Sequence, residues 1–129
     1  MATSVPHEHG SNLQEILDHM PDESNFIDAA DVFSQLSDAT RLRILWILSH
    51  SEECVTNIAA AIGMSDPAVS HHLRILKKAG LATSRRIGKE VHYSLAPSEH
   101  AQLAHRMVDD VFQMQCPGFD HAGMDHTEA

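Results

Sequence analysis

Residues 54–95, CVTNIAAAIGMSDPAVSHHLRILKKAGLATSRRIGKEVHYSL, pass from helical to strand periodicity in an order that few folds satisfy. Val55, Ile58, Ala59 and Ile62 recur at helical spacing, and Gly63 follows where a left-handed stop is easiest. Met64 and Ser65 make a short turn; Ser65 is placed to cap the next helix, and Pro67 falls in its first turn, where a missing N–H costs nothing. Val69, Leu73, Leu76 and Ala79 then repeat at three and four residues, one apolar stripe able to pack on the first helix before Gly80 ends it. Residues 81–86 and Glu90–Leu95 favour strands, with Ile87, Gly88 and Lys89 as a glycine-containing turn. Two helices, a tight turn and a hairpin predict a mainly α fold with a small β-hairpin, a winged helix-turn-helix.

The other face of the second helix carries Ala68, Ser70, His71, Arg74, Lys77 and Lys78, short groups that approach base edges beside long cations that reach phosphates. Arg85, Arg86 and Lys89 gather at the hairpin tip. The alternative for these cations is a solvated face, but turn, helix and wing in this order favour contact with double-stranded DNA. The total charge of −9 argues the other way until it is divided by segment. From residue 65 to residue 92 six cations stand against two anions, a balance of +4 that leaves −13 for the remainder. Positive charge is confined to the DNA-facing module, and salt-sensitive binding is expected.

Ahead of this module, residues 12–19 and 25–36 read as helices separated by the breaker Met20-Pro21-Asp22. Their Leu13, Ile16, Leu17, Phe26, Ile27, Ala30, Phe33 and Leu36 suit an amphipathic packing surface. A helix over 38–49 is expected to bury Leu42, Ile44, Leu45, Ile47 and Leu48, to take Trp46 into the core and to leave Arg41 and Arg43 near phosphate. After the hairpin, Ser98 is placed to cap a helix over 99–115, along which Leu103, Met107, Val111 and Met114 form a stripe for core or dimer contact.

With 129 residues, 43% apolar and 21% charged, the chain has the size and composition of one globular domain. It divides into an arm (1–11), the winged domain with its flanking helices (12–115) and a donor-rich tail (116–129). No membrane segment is legible, and the opening MATSVPHEHG has neither the cationic start nor the apolar centre of a signal peptide, so a cytoplasmic location is expected. Two cysteines, Cys54 and Cys116, do not make a disulfide framework. No nucleophile with a matched base, phosphate loop or carboxylate pair is present, which argues against an enzyme.

The segments LSDATRLRILWIL and ECVTNIAAAIGMSDPAVSHHLRILKKAGLATSRRIGKEVHYSL resemble the ArsR/SmtB repressors over residues 32–95. The resemblance implies a homodimer, joined through its first and last helices, that represses an operator and lets go when an inducer binds, usually a metal ion. It implies Ser70 and His71 as the base-contacting pair. Asp66 and Pro67 depart from the neutral hydrogen-bonding residues of many relatives, and Asp66 reads instead as a first-turn partner of the helix dipole. Relatives place two metal ligands at the start of the last helix and two about three turns later. Aligned through Tyr93-Ser94-Leu95, those positions are Pro97, Glu99, Asp110 and Gln113, of which Glu99 and Asp110 are metal-binding types.

Eleven histidines are many for this length, and His7, His9, His100, His105, His121 and His126 lie outside the DNA-facing module. Imidazole, thiolate and carboxylate together suit zinc, nickel or cobalt. The stretch CPGFDHAGMDH sets Cys116, Asp120, His121, Asp125 and His126 close together, either to wrap a metal or as a polar tail with incidental histidines. The expected constellation is Glu99 or His100 with Asp110 of the partner subunit, completed by Cys116 and His121, and His126 is a further candidate ligand. His105 and Asp109, four apart, either bind jointly or share a surface hydrogen bond. Cys54, His50 and His92 read as structural, the thiol because free cysteine is a strongly buried type. Two other functions stay open: a thiol-based redox or polysulfide repressor using Cys54 and Cys116, and a metal-binding scaffold that leaves operators alone.

Overall fold

A computed structural model describes residues 4–7, 9–10 and 12–115 and contains, in chain order, α1 (Leu13–His19), α2 (Glu23–Leu36), α3 (Ala39–Leu48), β1 (Glu53–Cys54), α4 (Val55–Ile62), α5 (Asp66–Lys78), β2 (Ala82–Ile87), β3 (Glu90–Leu95) and α6 (Glu99–Gln115). The chain separates into two units, the first ending at Phe33 and the second beginning at Ser34.

The first unit holds α1 and most of α2. Gln14 links it locally, accepting from Val5 N at 3.3 Å and donating to Asp18 Oδ1 at 3.1 Å. Helix α2 starts two residues before the predicted boundary because the Asp22 carbonyl accepts from Asn25 N and Phe26 N, which closes the first turn over Glu23. Neither helix buries a residue, and Leu13, Ile16, Phe26, Ile27 and Phe33 all present their apolar side chains to solvent.

The second unit is organised around α3, α4 and α5. Asp38 caps α3 by accepting from Arg41 N at 2.9 Å, a bond that holds its carboxyl below the usual range. Helix α4 ends at Gly63, whose φ of +70° is the left-handed stop that a side chain would strain. Ser65 Oγ accepts from Ala68 N at 3.3 Å to start α5. Ile44, Leu45 and Leu48 of α3, Ile58 and Ile62 of α4, and Val69, Leu73 and Leu76 of α5 close into one core. Helix α6 joins it through Ala101 and Ala104, with Val108 packed against it. Leu103 and Val111 are about half exposed, so the predicted stripe is not core of this chain. Trp46 is half-buried rather than enclosed.

The expected hairpin is present and is joined by a further strand in a three-stranded antiparallel sheet ordered β1-β3-β2. Strand β1 is two residues long and pairs Glu53 with Tyr93 and Cys54 with His92. Strands β2 and β3 pair from Ala82↔Leu95 to Ile87↔Glu90, so the turn is the two residues Gly88 and Lys89 rather than three. Gly88 has φ +63° at the first turn position, where a type II′ hairpin needs glycine. Two bonds then tie the end of α5 to the start of α6: Ala96 N donates to Leu81 O at 3.0 Å, and Ser98 Oγ donates to Gly80 O at 2.8 Å. The same Ser98 oxygen accepts from Ala101 N at 3.1 Å, which caps α6 as predicted. Among the described residues no helix is long and apolar enough to cross a membrane.

Candidate nucleic-acid interface

Helix α5 owes its two-faced character to the spacing of its sequence. Val69, Leu73 and Leu76 are fully buried, which turns His71, Arg74, Lys77 and Lys78 outward; Ser70 is half-buried at the edge of that face. His71, Arg74 and Lys78 stand three and four residues apart and share one side of the helix. The rings of His71 and His72 meet at 5.7 Å between centroids. Asp66 does not join the outward face as a lone charge: its Oδ2 accepts from Thr56 Oγ1 at 2.8 Å, which links the first turn of α5 to α4.

The six cations among the candidate DNA contacts fall into two groups once their partners are known. Lys77 Nζ donates to Ser84 Oγ at 2.7 Å, bracing α5 against β2. Arg85 holds Glu52 through two parallel bonds, Nε to Oε2 at 2.8 Å and Nη2 to Oε1 at 2.7 Å. That contact holds the Glu52 carboxyl below the usual carboxylate range and pushes the Arg85 guanidinium up. Arg74, Lys78, Arg86 and Lys89 are exposed and form no ion pair with a described residue. Lys77 has no ion pair either, but its ammonium is held in place by the neutral Ser84 hydroxyl, whereas these four are not so tied.

Arg41, expected near phosphate, is used internally. Its Nε donates to Gln35 O at 2.7 Å and its Nη1 reaches His72 Nδ1 at 3.4 Å, with the side chain only 15% exposed. Arg43 is exposed. Neither the Glu52–Arg85 fork nor the Lys77–Ser84 bond had a sequence signal, since each joins residues of different segments that meet only in the folded chain.

Replacing Glu52 with glutamine releases Arg85 without disturbing the fold, because an exposed ion pair contributes little stability. The expected result is tighter binding of duplex DNA, with a salt dependence steeper by about one phosphate contact per subunit. Filter binding across a salt series reads it, and an unchanged slope would show that Arg85, once released, does not meet phosphate. The pH sign follows from the lowered Glu52 carboxyl. The fork is complete from neutrality down through the ordinary carboxylate range and opens only as pH falls through the lower value, so mild acidification leaves the slope where it is.

The donors read from the sequence are more scattered. Glu99, His100 and Asp110 are exposed on α6. Glu99 and Asp110 are eleven residues apart, close to three full turns, which puts them on one face but about 16 Å distant along the axis. One ion cannot bridge them within a single chain. Cys116, His121 and His126 lie outside the described residues. Among the described residues no three histidine, cysteine, aspartate or glutamate side chains converge on a metal-sized space. His105 Nε2 and Asp109 Oδ2 meet at 3.1 Å, and the His105 ring also lies 5.9 Å edge-on from that of His50, which in turn tilts against Trp46 at 4.3 Å. His92 meets Glu90 at 3.0 Å. Cys54 is buried at 6% exposure at the junction of β1 and α4, as read from its type.

Comparison with known proteins agrees with this geometry. Residues 38–84 match the model of the bacterial regulatory protein arsR family. The transcriptional repressor SmtB homolog of Synechocystis sp. is 45% identical over 84 residues, 65% of this chain and 63% of that relative, so the match spans somewhat less than two thirds of its length. The cadmium resistance transcriptional regulatory protein CadC homolog of Staphylococcus aureus is 44% identical over 85 residues, 65% of this chain and 70% of its own. In three dimensions the chain is similar to the homodimeric winged helix-turn-helix DNA-binding domain from Mycobacterium bovis, with a TM-score of 0.65 at 28% identity over 80% of this chain and 97% of that one.

Proposed function

Because the chain belongs to the arsR family of bacterial regulatory proteins, a family of transcriptional regulators rather than enzymes, we propose that it is a homodimeric repressor that holds operator DNA through α5 and the β2–β3 wing and releases it on binding a transition metal ion. The observation that carries the reading is the segregation of charge: exposed Arg74, Lys78, Arg86 and Lys89 stand beside His71 and Ser70 on one module of an otherwise acidic chain. His71 and Ser70 are short enough to meet base edges, and the cations supply sequence-independent grip on phosphate.

The metal half of the reading is supported by the donors of α6 and by a relative named for cadmium resistance. Glu99 or His100 of one chain with Asp110 of the partner subunit supplies ligands that a single chain holds too far apart, and Cys116, His121 and His126 are the further donors. Zinc, nickel and cobalt suit this mixture of imidazole, carboxylate and thiolate. An ion bound across the subunit seam needs only to prefer the low-affinity shape, and a coupling of about 1–3 kcal/mol lowers operator affinity roughly 5- to 150-fold. The thiol-based alternative gains nothing from the buried Cys54.

Gel shifts at fixed salt, using the DNA upstream of the protein's own gene and random duplex as control, test both halves. Preference for the upstream fragment and its loss on adding zinc, nickel or cobalt is the expected outcome. Equal binding of both duplexes removes the repressor reading, while release by an oxidant with no response to any ion would move the sensing role to the thiols.

A further inference from the structure

An open apolar groove of about 400 Å³ lies outside the face described above. Leu42, Trp46 and Ile47 of α3, Ile62 of α4 and Phe112 of α6 wall it, with Arg43 among its lining residues. We infer that this groove is the seat of the chain's own segment 116–129, with the Phe119 side chain between Trp46 and Phe112. The inference does not rest on the operator or metal reading, although the segment also holds the donors Cys116, His121 and His126.

The position of the groove and the order of residues after α6 argue for this occupant. Helix α6 ends at Gln115, three residues or about 4.5 Å beyond Phe112. The next residues are Cys116-Pro117-Gly118-Phe119, and a Pro-Gly pair just past a helix end is a strong signal for chain reversal. A chain that doubles back there returns Phe119 to the level of Phe112. Phe119 and Met124 are the large apolar side chains of the segment, and Asp120, Asp125 and Glu128 are its charged residues, opposite in sign to Arg43. Burial of a phenylalanine ring is among the larger apolar gains a single side chain offers, and a tether of a few residues makes the docking intramolecular. A second copy of the chain is the rival occupant. It has no such tether and would cover the groove only as concentration rises.

Trp46 is the single tryptophan and forms a wall of the groove, so its fluorescence reports the occupant directly. At one fixed protein concentration, Phe119→Ala in the full chain and a chain ending at Gln115 should both shift Trp46 emission to the red and lose protection from acrylamide quenching. A synthetic peptide of residues 116–129 should restore the shorter chain, and the same peptide carrying Phe119→Ala should not. Emission and quenching unchanged in both variants would overturn the inference. So would shielding that follows protein concentration and ignores the segment, which would give the groove to a second copy. Circular dichroism checks the helix content of the shorter chain; should that chain unfold, the full-length Phe119→Ala variant decides alone.

Discussion

Alanine at both Arg74 and Lys78 is expected to weaken binding to every duplex, operator and random alike, on the order of tenfold or more, and to lower the salt slope by about two phosphate contacts per subunit. Both side chains leave the exposed side of α5 without an ion pair to a described residue, so their charge is available to phosphate and their loss leaves no buried group unsatisfied. The control that gives this its force is Lys77→Ala. Its ammonium is already held by Ser84 Oγ, so the effect on the slope should be distinctly smaller. Equal slopes for Lys77→Ala and Arg74→Ala would mean that the intramolecular bond does not decide which cations meet DNA. His71→Ala should behave differently from all three, relaxing the preference between duplexes more than it reduces overall affinity, because base-edge groups carry sequence information and phosphate contacts do not. Titrations with two duplexes at several salt concentrations separate these outcomes.

Leu73→Ala should cost about 2–5 kcal/mol, a large share of the roughly 5–15 kcal/mol that holds an ordinary domain together. Leu73 has no exposed surface and sits in the core formed by α3, α4 and α5, where the neighbouring Leu76, Ile44 and Ile58 are equally enclosed. Truncation removes the transfer energy of the side chain and leaves a cavity that rigid neighbours fill only in part. Urea denaturation at matched protein concentration should show a lower midpoint with an unchanged slope. Because Leu73 lies on the reverse side of the helix that carries His71 and Arg74, DNA affinity should fall with it. A variant with wild-type stability would show that α5 does not depend on this core.

Several elements were legible because local chemistry and tertiary demand agree. The bounds of α4 and β3 follow from apolar spacing and the flanking breakers, and the Val69, Leu73 and Leu76 stripe is buried as its period requires. Strand β1 was not legible: two residues carry no period, and its strand character comes only from pairing with Tyr93 and His92. For α6 the stripe leaves core and dimer contact open, and core is not the place of Leu103 and Val111. Ala101 and Ala104 are small enough for the helix to approach its own core, with Val108 packed beside them. Of the candidate site, the outward cations were readable from helical geometry, whereas the engagement of Lys77 by Ser84 and of Arg85 by Glu52 depends on how helix, sheet and the segment before β1 pack together. Donors spread along α6 could be named, but helix rise alone shows that Glu99 and Asp110 require two chains to meet at one ion.

The hydroxyl of Ser98 acts as a rivet between two helices with different tasks: it caps the first turn of α6 and grips Gly80 O just past the last turn of α5. Glu99 and His100 follow Ser98 by one and two residues, so the cap of α6 stands between those side chains and the rear of the helix that faces outward with His71 and Arg74. Besides the Ala96–Leu81 bond, one hydroxyl is therefore the fastening that both helices share.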